Sequence, residues 1–242
     1  MKPRLVPGIH SVLEALKQRP KSIRQITLRE GELKGELDSI LDIARSKKIP
    51  VRRVSVSSLD KIHNPSQGVI AEVCELPEWP SDFFKKSECA LIFALDSLED
   101  PHNLGSILRT GWILGAKGIV LPKDRAAGLT PAVEKIASGA VDHLPVLEVT
   151  NLVQSLKDLK EHGFWVYGLS EKAEKTLSEV EFANKTVLVV GSEASGLRAG
   201  VMDSCDELVK IPQATIEHSL NAAIAASIAG YEVMRQKSPK NL

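Results

Sequence analysis

The spacing of apolar residues predicts a small α/β module at the start of the chain. Strand-like alternation occupies residues 23–28, and a further apolar run at 69–73 predicts another strand. Two predicted helices have one apolar face each, formed by Ile9, Val12, Leu13 and Leu16 in the first and by Leu37, Ile40, Leu41 and Ala44 in the second. We assign residues 1–76 to this module.

The next segment, 77–88, contains Pro77 and Pro80 and shows little periodicity. Prolines without periodic apolar positions are typical of connecting segments. We therefore predict a linker over 77–88 and a second domain over 89–242.

In the second domain, strand-like apolar runs alternate with helical patterns. The predicted strands are 90–95, 118–121, 144–148, 164–169, 186–190 and 208–211. Helices are predicted from Asn103, from Thr130 with Pro131 in the first turn, and from Asn151. This alternation predicts an α/β fold with a parallel sheet covered on both faces, whose ligands bind beyond the carboxyl ends of the strands.

Composition excludes several classes of protein. The 242 residues are 43% hydrophobic and 26% charged, which is ordinary for a folded globular protein. Cys74, Cys89 and Cys205 lie far apart without a C-x-x-C pair, so neither a zinc site nor a disulfide framework is predicted. No apolar run has the length of a secretory signal or a membrane span, so we expect a cytoplasmic protein with no membrane partner and no metal.

The neutral net charge conceals an asymmetry between the two ends of the chain. Residues 1–61 hold 14 Lys and Arg against 7 Asp and Glu, so the remainder of this neutral chain is net acidic. A basic module favours contact with a polyanion such as RNA, although a solvated basic surface would give the same count.

Three segments that follow predicted strands contain candidate functional residues. Asn103 and Arg109 are six residues apart near the start of one helix, where we expect them on neighbouring faces. The Gly-rich turn 191–197 suits a nucleotide-like ligand, but it lacks the dinucleotide and phosphate-loop patterns. In the segment 211–223, Ser219 is the predicted helix cap and Asn221 falls in the first turn.

In order and spacing, these segments resemble the three motifs of the SpoU (TrmH-like) family of knotted RNA ribose 2′-O-methyltransferases. The family patterns are N-x-G-x-x-x-R, G-S-E-G-x-G-L and I-P-M…S-L-N, matched here at 103–109, 191–197 and 211–221. The resemblance covers about 90–235, and the Gly8-Ile9-His10 start extends it. Chains with this start most resemble the branch that methylates a guanosine of 23S ribosomal RNA.

The resemblance implies a trefoil knot in the C-terminal domain, S-adenosylmethionine as the cofactor, a homodimer, and a structured RNA partner, most simply ribosomal RNA. It implies that the cofactor is bound by Gly191, Gly196, Leu197, Ile211 and Leu220. It implies the catalytic set Arg109, Asn103, Glu193, Ser219 and Asn221, with Arg109 at its centre.

Methyl transfer requires a ribose 2′-hydroxyl to be aligned with an electrophilic methyl group and to lose its proton. Because guanidinium groups hardly deprotonate in proteins, we interpret Arg109 mainly as a group that binds the target phosphate and favours hydroxyl ionisation, with a role as base left open. Glu193 either orients Arg109 or accepts the proton.

Several positions depart from the family pattern. Ala194 stands in place of Gly, Gln213 in place of Met, and Thr215 in place of Gly, while Ala222 and Ala223 replace the common Val-Ser. An added β-carbon in a ligand-binding loop alters the pocket, so two alternatives stay open. These are an RNA-binding paralogue with weak or no catalysis, and a transfer RNA ribose 2′-O-methyltransferase.

Overall fold

The protein is described by a computed structural model that covers residues 3–215 and 219–237. The strands are β1 (Arg4–Pro7), β2 (Ile23–Arg29), β3 (Val51–Val54), β4 (Val69–Val73), β5 (Ala90–Leu95), β6 (Gly118–Pro122), β7 (Val146–Val149), β8 (Trp165–Leu169), β9 (Lys175–Thr176), β10 (Lys185–Val190) and β11 (Glu207–Lys210). The helices are α1 (Ile9–Gln18), α2 (Glu36–Ser46), α3 (Val56–Ile62), α4 (Ser81–Lys86), α5 (Pro101–Ile113), α6 (Pro131–Ala137), α7 (Leu152–Glu161), α8 (Ala199–Met202) and α9 (Ala222–Lys237). In the part of the chain that the structure describes, no helix has the length and apolarity needed to cross a bilayer.

The chain forms two compact units. The first comprises the chain up to Pro77 together with Gly128–His143. The second comprises Glu78–Ala127 and the chain from Leu144 onward. The sequence placed all of 89–242 in one domain, whereas the contacts of Gly128–His143 group this segment with the N-terminal unit.

The first unit contains a four-stranded sheet in the order β1-β4-β2-β3. Strand β4 pairs antiparallel with β1 and β2, and β3 adds parallel to β2. The predicted apolar faces of α1 and α2 cover this sheet and are buried with Val6, Ile26 and Leu28. The predicted module is therefore an α/β layer, with β1, β3 and α3 as short additional elements.

The second unit is built on a seven-stranded parallel sheet in the order β7-β6-β5-β10-β8-β11-β9. This confirms the predicted α/β fold with a parallel sheet. The strands agree with the predicted ones to within two residues at each end, and β5 is completely buried. The predicted trefoil knot stays a prediction.

The segment predicted to be a linker contains a short helix, α4. Phe84 on this helix is buried, and its ring packs edge-on against Trp79 and Phe164 at centroid separations of 5.4 and 5.3 Å. Aromatic burial orders this stretch even though its prolines suppress any periodic pattern.

A cluster of four charged groups joins Gly128–His143 to the rest of the first unit. Arg4 on β1 contacts the carboxylate of Glu134 on α6 and donates to Asp142 at 2.9 Å. Arg19, after α1, also contacts Asp142. Both carboxylate side chains are fully buried, so removing one partner would leave a buried charge without compensation.

Glu134 is the titrating member of this cluster. Burial raises the pKa of Glu134 from 4.5 to about 7, although Arg4 acts in the opposite direction. The folded protein therefore binds a proton at Glu134 over a pH range in which the unfolded chain does not. Its contribution to stability is complete below pH 4.5 and is lost as the pH rises through about 7.

We predict that Glu134→Gln weakens the pH dependence of unfolding. The urea midpoint of the wild-type protein should fall between about pH 5 and about pH 8, and that of Glu134→Gln should fall less, because the amide does not titrate. Glu161→Gln, at an exposed position on α7, is the control and should keep the wild-type slope. Equal slopes for wild type and Glu134→Gln would contradict the assignment.

Candidate active site

The three candidate segments meet at one edge of the parallel sheet. They follow β5, β10 and β11, and β5 pairs directly with β10. Because the strands are parallel, their carboxyl ends lie on the same edge, where open α/β sheets bind ligands. From β5 the chain continues to β6 and β7 on one side of the sheet, whereas the strands from β8 to β11 lie on the other side of β5. Sheets of this kind open a crevice at such a switch in strand order.

Glu193 is the point at which the three segments are joined. Its Oε1 atom accepts hydrogen bonds from Asn103 Nδ2 at 3.0 Å, from Asn221 Nδ2 at 2.5 Å, and from the backbone N–H of Ala222 at 3.2 Å. Asn221 Nδ2 also donates to Asn103 Oδ1 at 2.8 Å. We call Asn103, Glu193 and Asn221 the Glu193 cluster.

Asn103 reaches this cluster because it lies in the first turn of α5 and is buried. The helix begins two residues earlier than predicted, at Pro101, and Asp100 is its cap, accepting the backbone N–H of His102 at 2.9 Å. Because Asp100 caps the helix, the side chain of Asn103 does not have to do so. The nitrogen and the oxygen of its amide each bind another side chain instead.

Asn221, and not Ser219, caps α9, so the prediction for Ser219 as cap was wrong. Asn221 Oδ1 accepts the backbone N–H groups of Ala223 and Ile224 at 3.0 and 3.2 Å. The helix starts later than the sequence suggested, and the amide serves two functions at once, since its nitrogen faces Glu193. Ser219 instead lines the adjacent cavity.

That cavity has a volume of about 450 Å³ and lies beside Glu193. All five residues predicted to hold the cofactor line it: Gly191, Gly196, Leu197, Ile211 and Leu220. A pocket of this size suits a nucleoside-like ligand. The set comes from two of the candidate segments, 191–197 and 211–223, and the fold brings its members to one place.

Gly191 is required by the close packing of the loop. A β-carbon at this position would lie 2.3 Å from the carbonyl carbon and 2.4 Å from the oxygen of Gly196. The backbone of Ser192 pairs with that of Gly196, which folds the loop back against its own strand. The cavity wall is thus bare backbone at this point, as expected for a site that binds a ligand through main-chain groups.

Asp96 anchors the same loop, and the sequence analysis did not identify it. This fully buried carboxylate follows β5 directly and accepts the backbone N–H of Arg198 at 2.8 Å and its Nε at 2.6 Å. The available signal was an acidic residue placed immediately after a six-residue apolar strand, because such a buried charge requires a partner.

Arg109 does not join the Glu193 cluster within one chain. Six residues after Asn103, it emerges on a different side of α5 and is exposed, so the predicted neighbouring faces were wrong. Within the described residues it makes no hydrogen bond or ion pair. Ile113, one turn further along the same face, is 68% exposed.

The unusual residues of the loops are compatible with an open cavity. Ala194 and Gln213 both line it, so the side chains that replace Gly and Met have not closed the pocket.

Cys205 packs near Gly168, and burial raises the pKa of the Cys205 thiol to about 12. This cysteine is therefore a packing residue and not a thiolate nucleophile.

Two family models match the chain. The SpoU rRNA methylase family model matches residues 90–231, and the model for RNA 2′-O ribose methyltransferase substrate binding matches 5–79. Residues 5–79 correspond to most of the predicted N-terminal module.

Individual proteins agree with this assignment. YacO of Bacillus subtilis, provisionally named a TrmH family tRNA/rRNA methyltransferase, is 39% identical over 97% of this chain and 96% of its own. The 23S rRNA (guanosine-2′-O-)-methyltransferase RlmB of Pseudomonas putida is 36% identical over 96% of each chain. The SpoU methyltransferase AviRb of Streptomyces viridochromogenes, solved with AdoMet, superposes with a TM-score of 0.85 at 26% identity, covering 98% of this chain and 91% of that one.

The fold, the Glu193 cluster and the adjoining cavity define an S-adenosylmethionine-dependent RNA ribose 2′-O-methyltransferase. The chain belongs to the SpoU rRNA methylase family.

We predict that Gly191→Ala lowers the affinity for S-adenosylmethionine at least tenfold, because an added methyl group must displace the backbone of Gly196. Gly200→Ala is the matched control, since the nearest atom to its β-carbon would be Val153 Cγ2 at 3.9 Å, an ordinary contact. Isothermal titration of both variants measures the affinity. Wild-type affinity in Gly191→Ala would show that the ligand does not depend on this loop.

Proposed function

We propose that this protein transfers the methyl group of S-adenosylmethionine to the ribose 2′-hydroxyl of a guanosine in 23S ribosomal RNA, and that it does so in the cytoplasm. The observation that supports this most directly is the Glu193 cluster beside a cavity walled by the backbone of Gly191 and Gly196. The substrate assignment draws on the RlmB relatives, whose similarity extends over both units.

The residues of the cavity fit the cofactor. Gly191 leaves main-chain groups open to a ligand, and Leu197, Ile211 and Leu220 add apolar surface for a nucleoside. Bound S-adenosylmethionine supplies an electrophilic sulfonium methyl group, so the protein has to position the ribose hydroxyl and assist the loss of its proton.

Glu193 is the residue to which we assign the organisation of that step. Its Oε1 atom already accepts three hydrogen bonds, whereas Oε2 makes none within the described residues. The carboxylate is held in one orientation, and Oε2 is the atom left to meet the ribose hydroxyl or an arginine bound to the substrate. Ser219, on the cavity wall, is a further hydroxyl within this site.

The test is to map 2′-O-methylation by mass spectrometry in ribosomal and transfer RNA from strains with and without the gene. We expect one guanosine of 23S RNA to lose its methyl group and purified protein to restore it. Loss at a transfer RNA position would instead establish the second candidate, which the tRNA/rRNA name of YacO supports. A protein that takes up no S-adenosylmethionine in calorimetry would be the RNA-binding paralogue.

A homodimer is the second part of the proposal. The small residues of α9 do not support it, because Ala226, Ala229 and Gly230 are buried inside the chain, where a β-carbon on Gly230 would lie 2.7 Å from Phe93. The opposite side of α9 exposes Ile224, Ile228 and Tyr231 at i, i+4 and i+7. A continuous apolar stripe of this kind is typical of a protein interface.

We infer that the dimer supplies Arg109 to the Glu193 cluster of the other subunit. Arg109 and the exposed Ile113 share one face of α5, and α5 packs against α9. Burial of the apolar stripe in a symmetric dimer would place Arg109 at the interface, where it can act on the substrate of the neighbouring site.

We predict that Ile224→Glu dissociates the dimer at micromolar concentration. A charge on the stripe is costly to bury, whereas an acidic side chain in the first turn of α9 is compatible with the helix dipole. Sedimentation equilibrium measures the mass, with Ile62→Glu, an equally exposed position on α3, as the control. A wild-type protein that sediments as a monomer throughout would contradict the dimer.

We predict that Arg109→Ala lowers single-turnover methyl transfer at least about 100-fold while cofactor affinity stays unchanged, because both a positive charge and a two-point donor are lost near the reacting hydroxyl. Arg109→Lys separates the two contributions, since it keeps the charge alone. Wild-type turnover in Arg109→Ala would remove this residue from the catalytic set.

Mixed dimers test whether Arg109 acts across the interface. One subunit would have Arg109→Ala and the other Glu193→Ala, so that one of the two sites regains a complete set only if the arginine comes from the partner. Activity of about half the wild-type value is then expected, and absence of any recovery would mean that each chain uses its own Arg109.

A further inference from the structure

Two cavities beside the Glu193 cluster share two arginines. The first, of about 440 Å³, is lined by Asn103 and Glu193 and also by Arg125 and Arg198. The second, of about 480 Å³, is lined by Asn151 and by the same two arginines. We call the two cavities together the two-arginine cleft. It begins at the candidate methylation centre and continues along the sheet edge to the start of α7.

Arg198 enters this cleft with its side chain fixed. Its Nε donates to the buried Asp96 carboxylate at 2.6 Å, and its backbone N–H donates to the other oxygen. The side chain is still 42% exposed, and its terminal nitrogens have no partner within the described residues. A guanidinium held through Nε presents its remaining donors in a defined direction, which lowers the entropic cost of binding a ligand.

The backbone of Arg125 has an uncommon conformation. It has φ of 56°, the left-handed region that L-residues rarely occupy, in the loop after β6. Across residues 3–215 and 219–237 the side chain of Arg125 forms no hydrogen bond or ion pair. No contact of this side chain therefore explains why the residue adopts this conformation. Non-glycine residues in this backbone region cluster at active sites and ligand-binding loops.

The other charges of the cleft limit what it can bind. Glu99, Asp100 and Asp124 also line it, and of these Asp100 is engaged by the backbone of His102. The cleft is therefore not a broadly positive surface that would attract any polyanion. The strongest donors available to an anion there are the two guanidinium groups, whose planar donors match phosphate oxygens.

We propose that Arg125 and Arg198 bind a backbone phosphate of the RNA next to the ribose that is methylated. This inference rests on the proposed function and extends it. A ribose presented at Glu193 has a phosphodiester on each side, and the chain must leave the site along an accessible path. The two-arginine cleft adjoins Glu193 and offers free donors for a phosphodiester at its border.

Arg125 is the better residue to substitute, because Arg198→Ala would remove the charged partner of the buried Asp96 carboxylate and so perturb the loop that this carboxylate anchors. Arg125→Ala removes no contact, and Arg125→Asn retains a residue that tolerates positive φ. Lys157→Ala removes a positive charge from the exposed face of α7, outside the cleft, and is the control.

The experiment uses the full-length protein and 23S RNA transcribed in vitro. We expect both Arg125 variants to raise KM for the RNA about tenfold with kcat and cofactor affinity nearly unchanged, as for the loss of a contact made equally in the ground and transition states. The slope of log K against log salt for RNA binding should decrease by about 1, the value for one phosphate contact. Lys157→Ala should match wild type in all of these.

Two outcomes separate the failures. If wild type methylates the RNA but the Arg125 variants match Lys157→Ala in both KM and salt slope, the phosphate site is wrong while the proposed function stands. If no variant and no wild-type protein methylates 23S RNA, yet the Arg125 variants still lose one unit of salt slope, the phosphate site stands and the proposed substrate is wrong.

Discussion

The site depends on one acceptor atom, Glu193 Oε1. It accepts hydrogen bonds from the side chain of Asn103 on α5, from the side chain of Asn221, which caps α9, and from the backbone N–H of Ala222 at the start of α9. Three segments distant in sequence are therefore held in one arrangement. A carboxylate oxygen with three donors is well compensated, and the three hydrogen bonds are coupled because they share one acceptor. The geometry of the cavity and the position of the candidate reacting group are therefore coupled through a single side chain.

The elements of the second unit could be predicted because their signals are local. Buried parallel strands such as β5 and β10 are continuous apolar runs, and α6 and α7 have side-chain caps, Thr130 and Asn151, at the predicted positions. Short elements gave no such signal. Strand β9 has two residues, and α4 is ordered by the aromatic contacts of Phe84, which no periodicity reveals.

The candidate site could be predicted only in part, because the motifs do not encode the direction in which each side chain points. The motif pattern identified Asn103, Glu193 and Asn221 and the five residues of the cavity wall, but it contained no information on direction. It put Arg109 on a face neighbouring that of Asn103, whereas in the structure Asn103 is buried and Arg109 is exposed. It also missed Asp96, whose importance comes from burial and from Arg198, a partner about 100 residues later.

The packing of Gly128–His143 could not be read from the chain either, because the two acids of its buried cluster find their arginines near the N-terminus. A segment that lies between β6 and β7 in sequence is thereby part of the first unit. A cut at the predicted linker would therefore divide the first unit, because residues 1–77 hold the arginines that pair with Glu134 and Asp142.

The two sides of the Glu193 cluster are built on different physical principles. On the side of the cavity, the close packing of Gly191 against Gly196 and the hydrogen bonds of buried Asp96 fix the backbone, so little ordering would remain to oppose the binding of a ligand. On the other side, exposed Arg125 and Arg109 have no hydrogen-bond or ion-pair partners within the described residues. A rigid pocket for a small cofactor beside unpaired arginines is the arrangement expected when the second substrate is a charged polymer that completes the site as it binds.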